Sequence, residues 1–231
     1  MSKIILITGA SRGIGYETAL TLASENNTVI ATARSEDKLI KLSKSADAGK
    51  IIPIKADLTN PDDITKLADA AAEFNGLDGL INNAGAVHRE AFMDTDIEAF
   101  KKLMDVNVYG IVRLTQALKS HLKKGSHIVN ISSMSGYQGS LKFGGLSAYG
   151  AAKAAVIGLS EILSAEFAKD EITVNCLCLG AVQTEMLEEA FPGFDAPVSP
   201  PKMGSYIADF VTNAHQFYNG KVLPVALNDP S

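Results

Sequence analysis

Lys3-Ile4-Ile5-Leu6-Ile7-Thr8-Gly9-Ala10-Ser11-Arg12-Gly13-Ile14-Gly15 sets a short apolar run against a turn with three glycines. The run is β-branched apart from Leu6, so it reads as a strand. Gly9, Gly13 and Gly15 lack Cβ atoms, which permits a tight turn and a close approach of backbone to ligand. A helical pattern follows at once. Its free N–H groups and the positive end of its dipole favour a diphosphate. Three glycines alone are weak evidence; their place in a strand–turn–helix unit gives them meaning.

Outward from this unit, short β-rich runs alternate with amphipathic helical stretches. Strands are predicted over 3–8, 28–33, 51–55, 80–82, 127–132, 173–178 and 221–226. They are near-continuous apolar runs, the pattern of parallel strands covered on both faces. Asn60-Pro61-Asp62-Asp63 provides an N-cap, a proline at the first helical position and acid in the first turn. Ser35-Glu36-Asp37 and Asp96-Ile97-Glu98 repeat that signal more weakly. The predicted fold is α/β: a Rossmann-type, doubly wound sheet of about seven parallel strands with helices on both faces. No linker, low-complexity block or repeat interrupts the chain, so residues 1–231 are expected to form a single domain. Its first half, about 1–125, carries the cofactor turn, and its second, about 126–231, the catalytic and substrate residues. Residues 186–205 break the rhythm with Pro192, Pro197, Pro200 and Pro201 among Leu187, Phe191, Phe194 and Met203. They are expected to form a long irregular connection, either a lid over a site or a surface excursion.

Composition bounds the class. With 231 residues, 46% hydrophobic and 20% charged, the chain has an ordinary globular balance. It is long enough to bury a core without disulfide or metal staples. A net charge of −5 argues against a nucleic-acid partner. No apolar run approaches the roughly 20 residues that span a bilayer, so no membrane partner is expected. The apolar stretch after Lys3 is too short for a signal sequence. Cys176 and Cys178 fall on one face of a strand, about 6.6 Å apart, too far for a disulfide. They read as buried hydrophobes in a reducing, cytoplasmic compartment. His88, His121, His127 and His215 show no metal spacing, so no metal is expected, and each reads as a surface or satisfied, partly buried residue.

The G-x-x-x-G-x-G spacing after Thr8, with the later motifs, resembles the short-chain dehydrogenase/reductase family in its compact, single-domain form. Asn82-Asn83-Ala84-Gly85 is similar to the family's N-N-A-G, which implies that Asn83, Ala84 and Gly85 support the central sheet and the adenine side of the cofactor. Asp57-Leu58 resembles the pair that contacts the adenine ring. Leu179-Gly180-Ala181-Val182-Gln183-Thr184 resembles P-G-x-V-x-T, with leucine where proline is usual. The resemblance gives Gly180, Val182 and Thr184 the contacts to the nicotinamide carboxamide, and places Ser11, Arg12, Gly13 and Ile14 in the diphosphate turn. The chain departs from the family at Val225-Ala226-Leu227-Asn228-Asp229-Pro230-Ser231, where an acidic, diglycine-like turn is usual. The resemblance also implies a homodimer or homotetramer, formed through the helices around 106–122 and 148–167.

A dinucleotide site needs a residue at the end of the second strand to read the adenosine ribose. An acid there would accept the free 2′-hydroxyl of NAD. This chain has Ala33 and then Arg34, with Arg12 inside the glycine turn. No carboxylate stands at that position, and two guanidiniums could clamp a 2′-phosphate. Each charged hydrogen bond is worth about 1.5–3 kcal/mol. Arg34 alone also reads as a solvated helix-start residue; the pair together points to NADP(H) over NAD(H).

Tyr149 and Lys153 stand four apart at the start of a helical stretch, on one face. Upstream lie Ser132 and Ser133 at the end of the fifth strand, and Asn107 in Asp105-Val106-Asn107-Val108. This order resembles the family's Asn-Ser-Tyr-Lys tetrad. Either serine suits the spacing; in the family the second of such a pair acts, which favours Ser133. Hydride reduction of a carbonyl creates an alkoxide that needs a proton. Tyrosine, with a pKa of about 10, needs roughly 4 kcal/mol of help to ionise near neutrality. The Lys153 ammonium and the oxidised nicotinamide are expected to supply that field and so lower the phenol pKa. Ser133 would hydrogen-bond the substrate oxygen as charge develops. The resemblance implies that Lys153 holds the nicotinamide ribose and that Asn107 holds a water joining the lysine to solvent. Ser133 and Tyr149 are 16 residues apart, longer than the common family spacing, and the extra residues are expected to bulge over the substrate.

The expected function is therefore oxidation and reduction of a small carbonyl or alcohol substrate. A non-catalytic NADP sensor would lack the serine, tyrosine or lysine, and all three are present. A sugar epimerase or dehydratase would carry a different glycine spacing and a larger region than the 78 residues that follow Lys153. Tyr137, Phe143, Leu187, Phe191 and Phe194 suit an apolar pocket but do not name a substrate.

Overall fold

The computed structural model describes residues 2–46 and 49–227. Residues 228–231 of the divergent chain end therefore lie outside the described residues. Seven parallel strands form one sheet: β1 (Ile4–Thr8), β2 (Thr28–Ala33), β3 (Lys50–Lys55), β4 (Leu77–Asn82), β5 (Leu122–Ser133), β6 (Thr173–Leu179) and β7 (Val222–Val225). Their order is β3-β2-β1-β4-β5-β6-β7, the doubly wound arrangement anticipated from the strand–helix alternation. The helices are α1 (Gly13–Ser24), α2 (Glu36–Lys44), α3 (Pro61–Glu73), α4 (Ile97–Met104), α5 (Gly110–Leu118), α6 (Ser147–Glu166), α7 (Glu185–Ala190) and α8 (Pro200–Asn213). Helices α1, α2 and α8 cover one face of the sheet, and α3, α5 and α6 the other. None of the described helices is long and apolar enough to cross a membrane.

The continuous apolar runs follow from this double cover. In β1, Ile5 and Ile7 enter the core under α1 and α8, while Leu6 enters the core under α3 and α5. Alternation persists, but both sides are dry. The edge strand β3 is less well covered: Ile51 is buried, Ile52 and Ile54 are half-buried, and Lys50, Pro53 and Lys55 are exposed. Two strands run longer than their apolar signal. β4 begins at Leu77 and β5 at Leu122, where a register shift lies between the Leu77–Leu122 and Gly79–His127 pairs. The polar Lys123-Lys124-Gly125 insertion hid that start.

Asn60 caps α3 by accepting from the Asp62 N–H at 2.9 Å, and Asp96 caps α4 through the Ala99 N–H at 2.7 Å. Ser35 holds the cap position of α2 without a side-chain bond. The expectation of an irregular 186–205 connection needs correction. Its first residues form α7, and Pro200 and Pro201 open α8, where a missing N–H costs nothing. Only 191–199 is irregular. His127 also departs from the surface or partly buried reading: it is fully buried, bonded to the Val211 carbonyl and to Asn175.

Candidate active site

The site forms at the carboxyl ends of β1, β4, β5 and β6, beside the point between β1 and β4 where strand order reverses. Gly9 and Gly13 have φ values of +71° and +58°, which glycine alone takes without strain. A Cβ on Gly15 would stand 2.5 Å from the Gly9 carbonyl oxygen and from Asn83 Nδ2. Thr8 Oγ1 accepts from the N–H groups of Asn83 at 3.0 Å and Ala84 at 2.9 Å, and Asn83 Nδ2 donates to the Thr8 carbonyl at 2.9 Å. The segment after β4 thus braces the glycine turn from behind. At the start of α1, no side chain among the described residues caps the helix N–H groups. Open N–H groups above a backbone that excludes side chains fit the diphosphate of a dinucleotide.

Ser132 and Ser133 at the end of β5 have opposite fates. Ser132 is buried and donates to the Lys153 carbonyl at 2.7 Å; Lys153 Nζ donates back across the same gap to the Ile131 carbonyl at 2.9 Å. These two bonds staple α6 to β5. Ser133 Oγ accepts from the Ser135 N–H at 3.1 Å and from Ser135 Oγ at 3.0 Å. Ser133 also stands close enough to the Tyr149 phenol to oppose the rise that burial imposes on it. Of the two serines, Ser133 is the one turned to the tyrosine.

Lys153 Nζ lies 5.8 Å from the centroid of the Tyr149 ring. Burial pushes the lysine down to about 8, so it stays mainly cationic at neutral pH. Burial holds Tyr149 above the ordinary tyrosine value, against the opposing pull of Ser133. The ammonium is turned to the Ile131 carbonyl, and a half-buried phenolate is penalised by lost hydration.

Asn107 is buried in a π-helical turn, Asp105–Tyr109, between α4 and α5. Its Nδ2 donates to the carbonyls of Ala86 at 3.0 Å and Leu103 at 2.9 Å, and its Oδ1 accepts from the Ala86 N–H at 3.2 Å. Both amide hydrogens are committed, so the side chain clamps the loop after β4 and retains one acceptor site for a water. A Cβ on Gly85 would stand 2.8 Å from Asn107 Oδ1 and 3.4 Å from Lys153 Nζ. Gly85, Asn107 and Lys153 therefore converge on one point.

The remaining residues frame the cleft. Asp57 Oδ1 accepts from the N–H and hydroxyl of Thr59 at 2.9 and 2.7 Å, fixing the turn after β3, and Leu58 packs near Gly110. Val182 is buried in an isolated parallel bridge to Val198. The Gly180 N–H donates to Val225 at 2.9 Å, and Thr184 Oγ1 caps α7 through the Leu187 N–H at 3.2 Å. Gly13 and Thr184 approach so closely that a Cβ would lie 3.3 Å from Thr184 Cγ2. Arg34 is exposed beyond β2.

Arg12 has a partner that the sequence did not show. No carboxylate stands at the end of β2, but one arrives from elsewhere: Glu189 Oε1 of α7 lies 2.8 Å from Arg12 Nη1. Arg89, to which sequence reasoning assigned no role, donates to the Ala190 carbonyl at 3.2 Å and lies 4.3 Å over the Phe191 ring. The only signal for Glu189 was the acidic run after Thr184; its partner is far away in sequence. Of the residues that suited an apolar pocket, Phe143, Phe191 and Phe194 cluster, with ring centroids 5.9 Å apart for Phe143–Phe191 and 6.4 Å for Phe191–Phe194, while Tyr137 packs against the core under α6.

The chain belongs to the short chain dehydrogenase family, whose model matches residues 3–193. It is accordingly an NAD(P)H-dependent oxidoreductase of carbonyl or alcohol substrates. It is 35% identical over 223 residues to the 3-oxoacyl-[acyl-carrier-protein] reductase FabG of Escherichia coli, covering 93% of this chain and 88% of that protein. It is 38% identical over 189 residues to an NADPH-dependent 1-acyldihydroxyacetone phosphate reductase of Schizosaccharomyces pombe, covering 80% of this chain and 61% of that one. A crystal structure of a short chain dehydrogenase from Burkholderia cenocepacia in complex with NADP superposes with a TM-score of 0.88 at 26% identity, over 100% of this chain and 98% of that one.

Proposed function

We propose that the protein is an NADP(H)-dependent carbonyl reductase in which Tyr149 passes a proton to the substrate oxygen. The observation that carries this is the meeting of Ser133 and Lys153 at the Tyr149 ring, with Lys153 Nζ 5.8 Å from its centroid. A substrate oxygen placed between the two hydroxyls receives a hydrogen bond from each. Burial keeps the phenol protonated at neutral pH, the form that donates. Lys153, cationic and anchored to β5, stabilises the phenolate left behind and is placed to hold the nicotinamide ribose. Lys153 would then relay a proton to the phenolate, and a water at the free acceptor site of Asn107 would restore one to the lysine. When bound, the nicotinamide supplies the hydride.

The turn Gly9–Gly15 and the start of α1 would hold the diphosphate, Asp57, Leu58, Asn83, Ala84 and Gly85 the adenine side, and Gly180, Val182 and Thr184 the carboxamide. NADP(H) is favoured by Arg34 and Arg12 together with the absence of an acid at Ala33. The aromatic cluster and Arg89 form the mouth, which suits a carbonyl compound with an apolar body. The working form is a homodimer or homotetramer in the cytoplasm. Exposed Tyr109 and Ile162, on the α5 and α6 side, favour that assembly, and the buried free cysteines suit a reducing compartment.

The test is NADPH oxidation across ketones, aldehydes, quinones, sugars and thioester-linked ketoacyl compounds, with Tyr149→Phe as the comparison. Turnover is expected to fall about a hundred- to ten-thousandfold while NADPH affinity is unchanged. Retained turnover in the variant refutes the role of Tyr149.

A further inference from the structure

Two arginines grip consecutive residues at the end of α7. Arg12 comes from the glycine turn and pairs with the Glu189 carboxylate at 2.8 Å. Arg89 comes from the loop after β4, donates to the Ala190 carbonyl at 3.2 Å and covers the Phe191 ring. The loops that frame the cofactor cleft thus both tie down the segment above it. Glu188 is used differently, since its Oε1 accepts from the Gly193 N–H at 2.9 Å within that segment. An open cleft of about 440 Å³ beside the turn is lined by Gln183, Thr184, Glu185, Glu188 and Glu189. That lining carries three carboxylates, of which Glu189 pairs with Arg12.

A guanidinium has five N–H donors, but its two-Nη edge grips one oxyanion at a time, and Glu189 holds Nη1 of that edge. A phosphate ester and a carboxylate must compete for it. We propose that Glu189 is a cofactor-specificity residue, whose carboxylate competes with the adenosine 2′-phosphate for Arg12. NADP(H) then has to break one of the two ties on α7, and NAD(H) does not. This inference rests on the reading of Arg12 as a reader of that phosphate. Arg12 and Glu189 are 39% and 60% exposed, so the pair exchanges readily and handicaps the phosphate only modestly. The expected penalty on NADP(H) affinity is about two- to fivefold.

Calorimetric titration of NADPH, NADH, adenosine 2′,5′-bisphosphate and 5′-AMP into the wild type, Glu189→Gln, Glu188→Gln, Arg12→Gln and the Arg12→Gln/Glu189→Gln double variant tests it. Glu189→Gln should tighten NADPH and the bisphosphate about two- to fivefold and leave NADH and 5′-AMP unchanged. Glu188→Gln should change NADPH less, and Glu189→Gln should have no effect once Arg12 is gone. Equal tightening of NADH, an equal effect of Glu188→Gln, or no gain for NADPH overturns the competition. If Arg12→Gln leaves the NADPH-to-NADH affinity ratio intact, the phosphate reading of Arg12 fails and the competition falls with it. If that ratio drops while Glu189→Gln does nothing, the reading stands and the competition alone is refuted.

Discussion

Lys153 combines a catalytic position with a cost to folding. Only 4% of it is exposed, and burial lowers its pKa from 10.5 to about 8. The unfolded chain then binds more protons between those values, so stability rises with pH through that window, and below about 8 the cost is fully present. A shift of that size corresponds to about 3 kcal/mol at neutral pH. The Ile131 carbonyl bond recovers only part of it. Lys153→Met, similar in length and uncharged, is expected to raise the unfolding free energy at pH 7 by about 1 kcal/mol while abolishing turnover. Urea denaturation that showed a loss of stability would mean the ammonium is a net stabiliser. Such a trade is invisible in the sequence. Ser132 and Ser133 also look alike there; strand pleat alone sends one into α6 and the other toward Tyr149.

The glycine turn is an element whose requirements are almost wholly local. Positive φ, absent Cβ atoms and a helix start all follow from residue type, which is why it was legible. Gly15→Ala would force a Cβ to within 2.5 Å of the Gly9 carbonyl oxygen, inside the same turn. The expected result is a weakening of NADPH binding by about tenfold or more, read by titration. An unchanged affinity would show that the turn is not the cofactor's seat. Elements marked by proline were less legible. Pro200 and Pro201 mark a helix start as readily as a loop, and the choice depends on whether Met203, Ile207, Phe210 and Val211 find a sheet face to cover. The start of β5 was hidden for a related reason, since Lys123 and Lys124 are tolerated at a strand entrance facing solvent.

Across the whole molecule, the two ends of the sheet do different work. The carboxyl ends carry the site; near the opposite ends, His127 is buried between Val211 and Asn175, with Lys3 and His215 nearby. Burial, with those neighbours, lowers His127 from 6.5 to about 4. The unfolded chain therefore takes up more protons in that window, and stability is lost as pH falls through it. About 2 kcal/mol should disappear between pH 7 and pH 5, and His127→Gln should remove most of that dependence. Denaturant midpoints that fall equally in both proteins would assign the acid sensitivity to other groups. The sequence by itself determined the parallel α/β order and the glycine turn, because apolar runs, helix starts and glycines are specified by residue type within a few positions. The tertiary structure alone decided which serine meets the phenol, that Asn107 spends its amide on Ala86 and Leu103, and that Glu189 reaches Arg12. Those outcomes depend on distances closed by packing between segments remote in sequence, and no local pattern encodes them.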